Sequence, residues 1–141
     1  MQDSHDLAAF FKRDRFAQLV GIELVSAGKG AAVARLEVKP EHLNGVRTVQ
    51  GGAIFTLADF AFAAACNSHG QVAVAIQAGV TFLKAVSAGT LTAEAVEESV
   101  TPKLGTYTVR VRNETGDLVA IFEGLAYRKG QSLEEIMASR P

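Results

Sequence analysis

The feature that most constrains the fold is a long apolar segment at residues 51–68, which carries a single charged residue, Asp59. Six alanines in this segment favour an α-helix, and Gly70 is a typical stop. A helix that is apolar on nearly every face is buried all round unless it crosses a membrane. The central charge and the Gly, Asn and Thr residues argue against a membrane span. The sequence therefore predicts one central helix wrapped by the rest of the chain.

The flanking segments predict how that wrapping is built. An amphipathic helix is expected at about 5–20, and β-prone segments occupy 22–26, 32–38, 72–84, 90–100, 107–112 and 118–127. Residues 39–50 are expected to form a loop, and Ser132 with Glu135 indicates a short terminal helix. This order predicts the α+β class, with one antiparallel sheet folded around the central helix. We expect a single domain over 1–141, with its core at about 21–128 and a short C-terminal tail.

Composition excludes several classes of function. Fourteen Lys and Arg residues against fifteen Asp and Glu residues give a net charge of -1, which lacks the basic excess of nucleic-acid binding proteins. One cysteine and three scattered histidines provide no metal site, and no dinucleotide fingerprint is present. The N-terminus lacks a cationic segment followed by an apolar run. We therefore expect a cytoplasmic protein with no cofactor, metal, nucleic-acid or membrane partner.

Asp59 is the first candidate functional residue. Between Arg47 and Lys84 lie 36 residues, and Asp59 is the only charged one among them. Burying a carboxylate is costly unless it is paired or hydrogen-bonded, so a carboxylate in such a helix usually has a use. Two interpretations follow: Asp59 performs chemistry, or it accepts hydrogen bonds from a loop and fixes the helix.

The start of the helix provides the second candidate. Gly51 and Gly52 leave backbone N–H groups approachable at the positive end of the helix dipole, which suits a developing oxyanion. Gly51 and Asp59 are separated by about 12 Å along the helix, so no single carbonyl touches both groups. If both act on one substrate, they belong to different subunits related by a two-fold axis. The spacing therefore implies a homodimer if it implies an enzyme.

The run from Asn44 to Asp59, followed by residues 63–68, resembles the signature of hotdog-fold acyl-CoA thioesterases of the phenylacetate-pathway and 4-hydroxybenzoyl-CoA type. The similarity extends over about 16–128, including 80–83 and 124–128. It implies a hotdog fold and dimers that often pair further into tetramers. It also implies that the Gly51 N–H polarises a thioester carbonyl, that Asp59 of the partner subunit acts as base or nucleophile, and that Asn44 orients the attacking water.

The sequence departs from this family pattern at two positions. The family commonly has His directly before the glycines, where this chain has Gln50. Because of this position, Gln50 is also a candidate catalytic residue. Some members have Ser or Thr on the following strand, where Ala75 stands here. Gln50 can form hydrogen bonds but cannot titrate.

The leading hypothesis is hydrolysis of an aryl- or medium-chain acyl-CoA. The alternatives are a non-catalytic acyl-CoA binding protein and, ranked last, a hotdog dehydratase.

Further residues are expected to contact the substrate or to be inert. The substrate-binding candidates are Gly52, Phe60, Ala75, Phe82 and Lys84. Lys84 is a candidate for the CoA phosphates, together with Lys103, Arg128 and Lys129. Cys66 and His69 lie three residues apart, but no orienting acid is evident for a nucleophile and base pair. His42 is expected to be an ordinary exposed residue.

Overall fold

The computed structural model describes residues 4–139 and contains ten regular elements and one 3-10 turn in that range. The helices are α1 (Ser4–Phe11), α2 (Arg15–Val20), α3 (Gly51–Asn67) and α4 (Leu133–Ala138), with the 3-10 turn at Pro40–His42. The strands are β1 (Ile22–Gly28), β2 (Ala31–Glu37), β3 (Gln71–Phe82), β4 (Thr90–Val100), β5 (Leu104–Arg112) and β6 (Leu118–Ser132).

The six strands form one antiparallel sheet in the order β1-β2-β4-β5-β6-β3. Helix α3 packs against all six strands. The predicted α+β architecture, with a sheet wrapped around one central helix, is therefore confirmed. Strand β3 lies at one edge of the sheet, directly after α3 in the chain.

Small residues allow the helix and sheet to approach closely. Gly124 on β6 faces Phe62 on α3, and a Cβ added to Gly124 would lie 2.7 Å from the Phe62 ring. The Phe62 ring packs edge-on against Tyr107 at 5.5 Å and contacts Phe122 at 5.6 Å. Aromatic pairs at these distances stabilise a core beyond the area that they bury. With Phe55, which packs against Phe122 at 5.3 Å, four of the ten aromatic residues of the chain lie where α3 meets the sheet.

One face of α3 is left uncovered by its own subunit. Its buried residues include Leu57, Ala58, Ala61 and Ala65, which face the sheet. Gly52, Thr56, Asp59 and Ala63 recur at helical spacing along the opposite side, and each is exposed or half-buried. The expectation of burial on every face is therefore wrong for a single subunit.

The N-terminal region differs from the expected single helix. Helices α1 and α2 are separated because Asp14 caps α2, and its carboxylate accepts a hydrogen bond from the Ala17 N–H at 3.0 Å. Two apolar residues of the expected amphipathic helix, Phe16 and Leu19, are 61% and 82% exposed. The capping interaction therefore overrides the amphipathic pattern.

The C-terminal boundary also differs from the expectation. Strand β6 extends through Ser132, beyond the expected end of the core at 128, and leads directly into α4. The Ser132 hydroxyl accepts a hydrogen bond from the Glu135 N–H at 3.1 Å, so the expected short terminal helix is confirmed. No helix in the described part of the chain is long and apolar enough to cross a bilayer.

Candidate active site

The N-terminus of α3 presents one free backbone donor. Gln50 is the N-cap residue, and its side-chain Oε1 accepts a hydrogen bond from the Gly52 N–H at 2.7 Å. The Gly51 N–H has no acceptor among the described residues. Because an unpaired N–H at a helix start attracts negative charge, Gly51 is suited to bind a carbonyl oxygen.

Three of the predicted site residues line one groove. Gly51, Phe82 and Lys84 border a depression of about 500 Å³ between the start of α3 and the end of β3. A Cβ on Gly51 would lie 2.9 Å from Cζ of Phe82, so the glycine lets the aromatic ring close over the helix start. The Lys84 ammonium lies 2.9 Å from the Asp117 carboxylate. Hydrogen bonds from Lys84, Asn113 and Thr115 lower the pKa of Asp117 to about 2.

Asn44 organises the loop that leads to this groove. Its Oδ1 accepts hydrogen bonds from the N–H groups of Val46 at 3.0 Å and Thr48 at 3.1 Å. Its Nδ2 donates to the Thr48 hydroxyl at 3.1 Å, which uses one of the two amide hydrogens. The loop is closed by a bridge between Leu43 and Val49. Asn44 therefore fixes the backbone that precedes the capping residue of α3.

His42 is a structural residue of the site that sequence reasoning missed. It is 7% exposed, so the expectation of an ordinary exposed histidine is wrong. Its Nδ1 accepts from the Lys39 N–H at 2.9 Å, so Nε2 carries the proton and donates to the Val20 carbonyl at 2.7 Å. Its own carbonyl accepts from the Gln50 N–H at 2.8 Å. His42 thus joins α2 to the start of α3, and only the preceding Pro40 signals this turn in the sequence.

Asp59 lies half-buried on the uncovered face of α3. Its carboxylate has no hydrogen-bond or ion-pair partner among the described residues, which argues against the interpretation that it accepts bonds from a loop of its own subunit. Burial raises the pKa of Asp59, and the nearby negative charge of Asp14 raises it further. A carboxylate in this state is available to a substrate or to a second subunit.

The other predicted residues lie away from the Gly51 groove. By the helical rise, Asp59 is about 12 Å from Gly51. Phe60 lines a separate cavity of about 320 Å³ beneath α1 and α2, with Phe11, Ala17 and Ile22. Ala75 is exposed on the edge strand β3. One subunit therefore brings together Gly51, Phe82 and Lys84, but not the carboxylate.

The edge strand β3 is unusually apolar for a solvent-exposed edge. It is 12 residues long, and its Val74, Ile76 and Phe82 side chains are 39%, 55% and 51% exposed. Long apolar edge strands of a sheet normally carry charged residues that prevent pairing, or they are covered by another chain. Strand β3 also packs against α3, and the Phe82 ring at its end lies over Gly51 at the start of the helix.

A second polar cluster lies at the C-terminal end of α3. Glu97 accepts a hydrogen bond from the Tyr107 hydroxyl at 2.5 Å and pairs with His69 Nε2 at 2.6 Å. Burial alone would raise the pKa of Glu97, but these two partners lower it overall. Burial raises the pKa of Cys66 to about 12, so the thiol is inert and the Cys66 and His69 pair is no nucleophilic site. No cluster that could hold a metal ion occurs in the part of the chain that is described.

The sequence of this chain is similar to those of known proteins. Residues 47–120 match the thioesterase superfamily. The acyl-coenzyme A thioesterase PaaI of Escherichia coli is 38% identical over 133 residues, which cover 94% of this chain and 93% of that protein.

Solved structures show the same likeness. The E. coli PaaI protein from the phenylacetic acid degradation operon superposes with a TM-score of 0.84 at 35% identity, covering 92% of this chain and 97% of that one. A Streptococcus mutans protein solved with bound acetyl-CoA has a TM-score of 0.76 at 26% identity, covering 79% of this chain and 91% of that one.

Proposed function

Because this chain belongs to the thioesterase superfamily, we propose that it hydrolyses acyl-CoA to the free acid and coenzyme A at sites built between two subunits. Its sheet around one helix is the hotdog fold expected from the resemblance. One observation carries the proposal. The Asp59 carboxylate has no partner in the described part of its own subunit, yet it lies on the face of α3 that this subunit leaves uncovered.

The proposed site forms when two α3 helices lie antiparallel across a two-fold axis. Such an axis brings Gly51 of one subunit close to Asp59 of the partner subunit, and does so twice. The apolar edge of β3 supports this arrangement, because pairing β3 with its copy satisfies the edge and covers Ile76. A homodimer is therefore the smallest active unit, and the family resemblance extends this to a dimer of dimers.

The proposed chemistry divides between the two subunits. The Gly51 N–H donates to the thioester oxygen and stabilises the negative charge that develops there. Asp59 of the partner subunit promotes attack on the carbonyl carbon, either by taking a proton from water or as the nucleophile itself. In the first case the C–S bond of the adduct breaks and the protonated Asp59 returns its proton to the leaving thiolate, which gives the free acid and coenzyme A. In the second case the C–S bond breaks to leave an acyl anhydride on Asp59, and water then hydrolyses the anhydride to the free acid and supplies the proton of the coenzyme A thiol.

The neighbouring polar residues have supporting parts in this proposal. The Gln50 side chain accepts a hydrogen bond from the Gly52 N–H, so the Gly51 N–H remains available for the substrate. This capping role needs a hydrogen-bond acceptor and no titrating group, which accounts for Gln at this position. Asn44 retains one amide hydrogen, which we assign to the attacking water.

The cavity beside Phe60 supports an aryl- or medium-chain acyl group. Phe60 follows Asp59 directly on α3 and packs edge-on against Phe11 at 5.4 Å. The cavity of about 320 Å³ is lined mainly by apolar side chains and lies at the lower end of the range for ligand pockets. An acyl group whose carbonyl is held near Asp59 would extend into this cavity.

The test is release of free thiol from a panel of phenylacetyl-, benzoyl-, octanoyl- and acetyl-CoA. We expect hydrolysis with preference for the larger acyl groups, and a loss of at least about 100-fold in kcat for Asp59→Asn. Asp14→Asn is the matched control, because Asn also caps helices and the residue lies close to Asp59. Its activity should stay within about threefold of the wild type.

Two results would overturn the proposal. Unchanged hydrolysis by Asp59→Asn would remove the carboxylate from the mechanism. Saturable binding of acyl-CoA without thiol release would identify a non-catalytic binding protein, the alternative that Gln50 and Ala75 favour. A dehydratase would need a histidine directly before the glycines, where this chain has Gln50.

A further inference from the structure

We propose that Arg47 binds a phosphate group of the coenzyme A moiety and so determines the affinity for acyl-CoA. This inference rests on the proposed function, and it names a substrate contact that the sequence did not single out. It concerns the non-reacting part of the substrate, whereas Gly51 and Asp59 concern the carbonyl.

The position of Arg47 supports this contact. Arg47 directly precedes Thr48, which lines the groove that holds the free Gly51 N–H. Three residues lie between Arg47 and Gly51 along the chain, and Asn44 holds the loop that carries Arg47 in one conformation through its bonds to Val46 and Thr48. An elongated substrate whose carbonyl lies at Gly51 therefore passes the loop that carries Arg47.

The Arg47 side chain is available for an anion. It is exposed, and its guanidinium has no hydrogen-bond or ion-pair partner among the side chains that the structure describes. Lys84, the cation on the opposite wall of the groove, is held by Asp117 at 2.9 Å. A guanidinium also matches phosphate with two parallel hydrogen bonds, which an ammonium does not.

The other candidate cations lie at the far end of the same subunit. Arg128 pairs with Ala73 across the sheet, nine residues before Phe82 on β3, which corresponds to about 30 Å. Its Nη1 donates to the Thr101 carbonyl at 2.8 Å. Lys103 and Lys129 lie in the same region, because the Lys103 carbonyl accepts from the Arg128 N–H. Of Arg47 and the four cations that the sequence offered for the CoA phosphates, Arg47 and Lys84 are thus the two beside the groove of one described subunit.

The backbone of Arg47 makes a precise experiment possible. Its φ is 63°, a conformation that glycine adopts without strain, so Arg47→Gly removes the cation and preserves the loop. Lys29 offers a matched control, because it is also an exposed cation with a positive φ of 54°, at the β1–β2 turn. Lys29→Gly makes the same chemical change far from the groove.

The experiment compares an acyl-CoA with the corresponding acyl-pantetheine, which has the same thioester but no phosphate. For Arg47→Gly we expect a roughly 5- to 20-fold rise in KM for the acyl-CoA, with kcat unchanged, because the lost contact involves the non-reacting part of the substrate. KM for the acyl-pantetheine should not change. Lys29→Gly should alter neither, and both variants should keep the melting temperature of the wild type.

Three outcomes are decisive. An unchanged KM for acyl-CoA in Arg47→Gly overturns the inference, and so does an equal rise for both substrates, which would indicate a disturbed loop. If the wild type hydrolyses neither substrate, the proposed function has failed. The inference is then decided by calorimetric binding of coenzyme A itself: a weaker Kd for Arg47→Gly than for Lys29→Gly supports it, and equal Kd values refute it.

Discussion

Replacing Gly51 with proline removes the single N–H to which we assign the oxyanion, while the helix is expected to persist. Proline is favoured at the first position of a helix, where its missing N–H has no intrahelical partner. The preceding residue must be extended, and Gln50 already has φ -62° and ψ 137°. The backbone at this position is therefore compatible with proline.

The expected loss is large because the donor has no substitute. The neighbouring Gly52 N–H is occupied by Gln50 at 2.7 Å. Removal of one such donor typically lowers kcat by about 10²–10³, equivalent to about 2.7–4 kcal/mol of transition-state stabilisation. The new Cβ would also displace the Phe82 ring, which it would approach to 2.9 Å. Gly51→Ala makes this same contact but keeps the N–H.

The measurement is kcat for thiol release by the proline and alanine variants, with circular dichroism to verify that both are folded. We expect the alanine variant to lose activity modestly and the proline variant to lose a further factor of about 100 or more. Equal kcat values for the two folded variants would refute the assignment of the Gly51 N–H.

Three further predictions concern assembly and stability. Ile76→Lys places a charge on the apolar edge of β3, so we expect it to convert the proposed dimer to inactive monomers, as measured by light scattering. Val25→Lys on exposed β1 should remain dimeric. An active, dimeric Ile76→Lys protein would contradict the proposed interface. His42→Ala removes two part-buried hydrogen bonds of a buried ring, so we expect the free energy of unfolding in urea to fall by about 2–4 kcal/mol. A loss below about 0.5 kcal/mol would show that the ring is dispensable. Because burial raises the pKa of Asp59, its charged form destabilises the folded state at neutral pH. Asp59→Asn should therefore raise the melting temperature at pH 7.5, and this gain should vanish as the pH falls towards 3.8, the usual pKa of the carboxyl. A gain that is the same at both pH values would exclude this electrostatic cause.

The sequence predicted the architecture well where the signal is periodic and local. Helix α3 and the six strands follow from apolar runs bounded by turn residues, and Ser132 identified the last helix. The N-terminal region was predicted less well because two local signals compete there. The apolar spacing favours one helix, but the Asp14 cap begins a new one and turns Phe16 and Leu19 towards solvent.

The candidate site was predictable only in the part that depends on local chemistry. A carboxylate alone in a 36-residue uncharged run and two glycines at a helix start are visible in the sequence. The structural role of His42 is not visible, because it depends on long-range hydrogen bonds. The position of Arg47 beside the groove is not visible either, because it depends on how the loop around Asn44 folds. Burial on every face of α3 was also predicted, and a single subunit leaves open the face that carries Asp59.

The proposed sharing of each site between two subunits can be tested most directly with mixed dimers. The Asp59→Asn and Gly51→Pro variants should each be inactive alone. Equal amounts of the two variants are mixed, unfolded and refolded together. Half of the resulting dimers are hybrids, and each hybrid contains one site with both an intact Gly51 and an intact Asp59. The account predicts recovery to about one quarter of wild-type activity, which follows from random pairing across a two-fold axis. Activity no greater than that of the separate variants, in a sample shown to contain hybrid dimers, would contradict it.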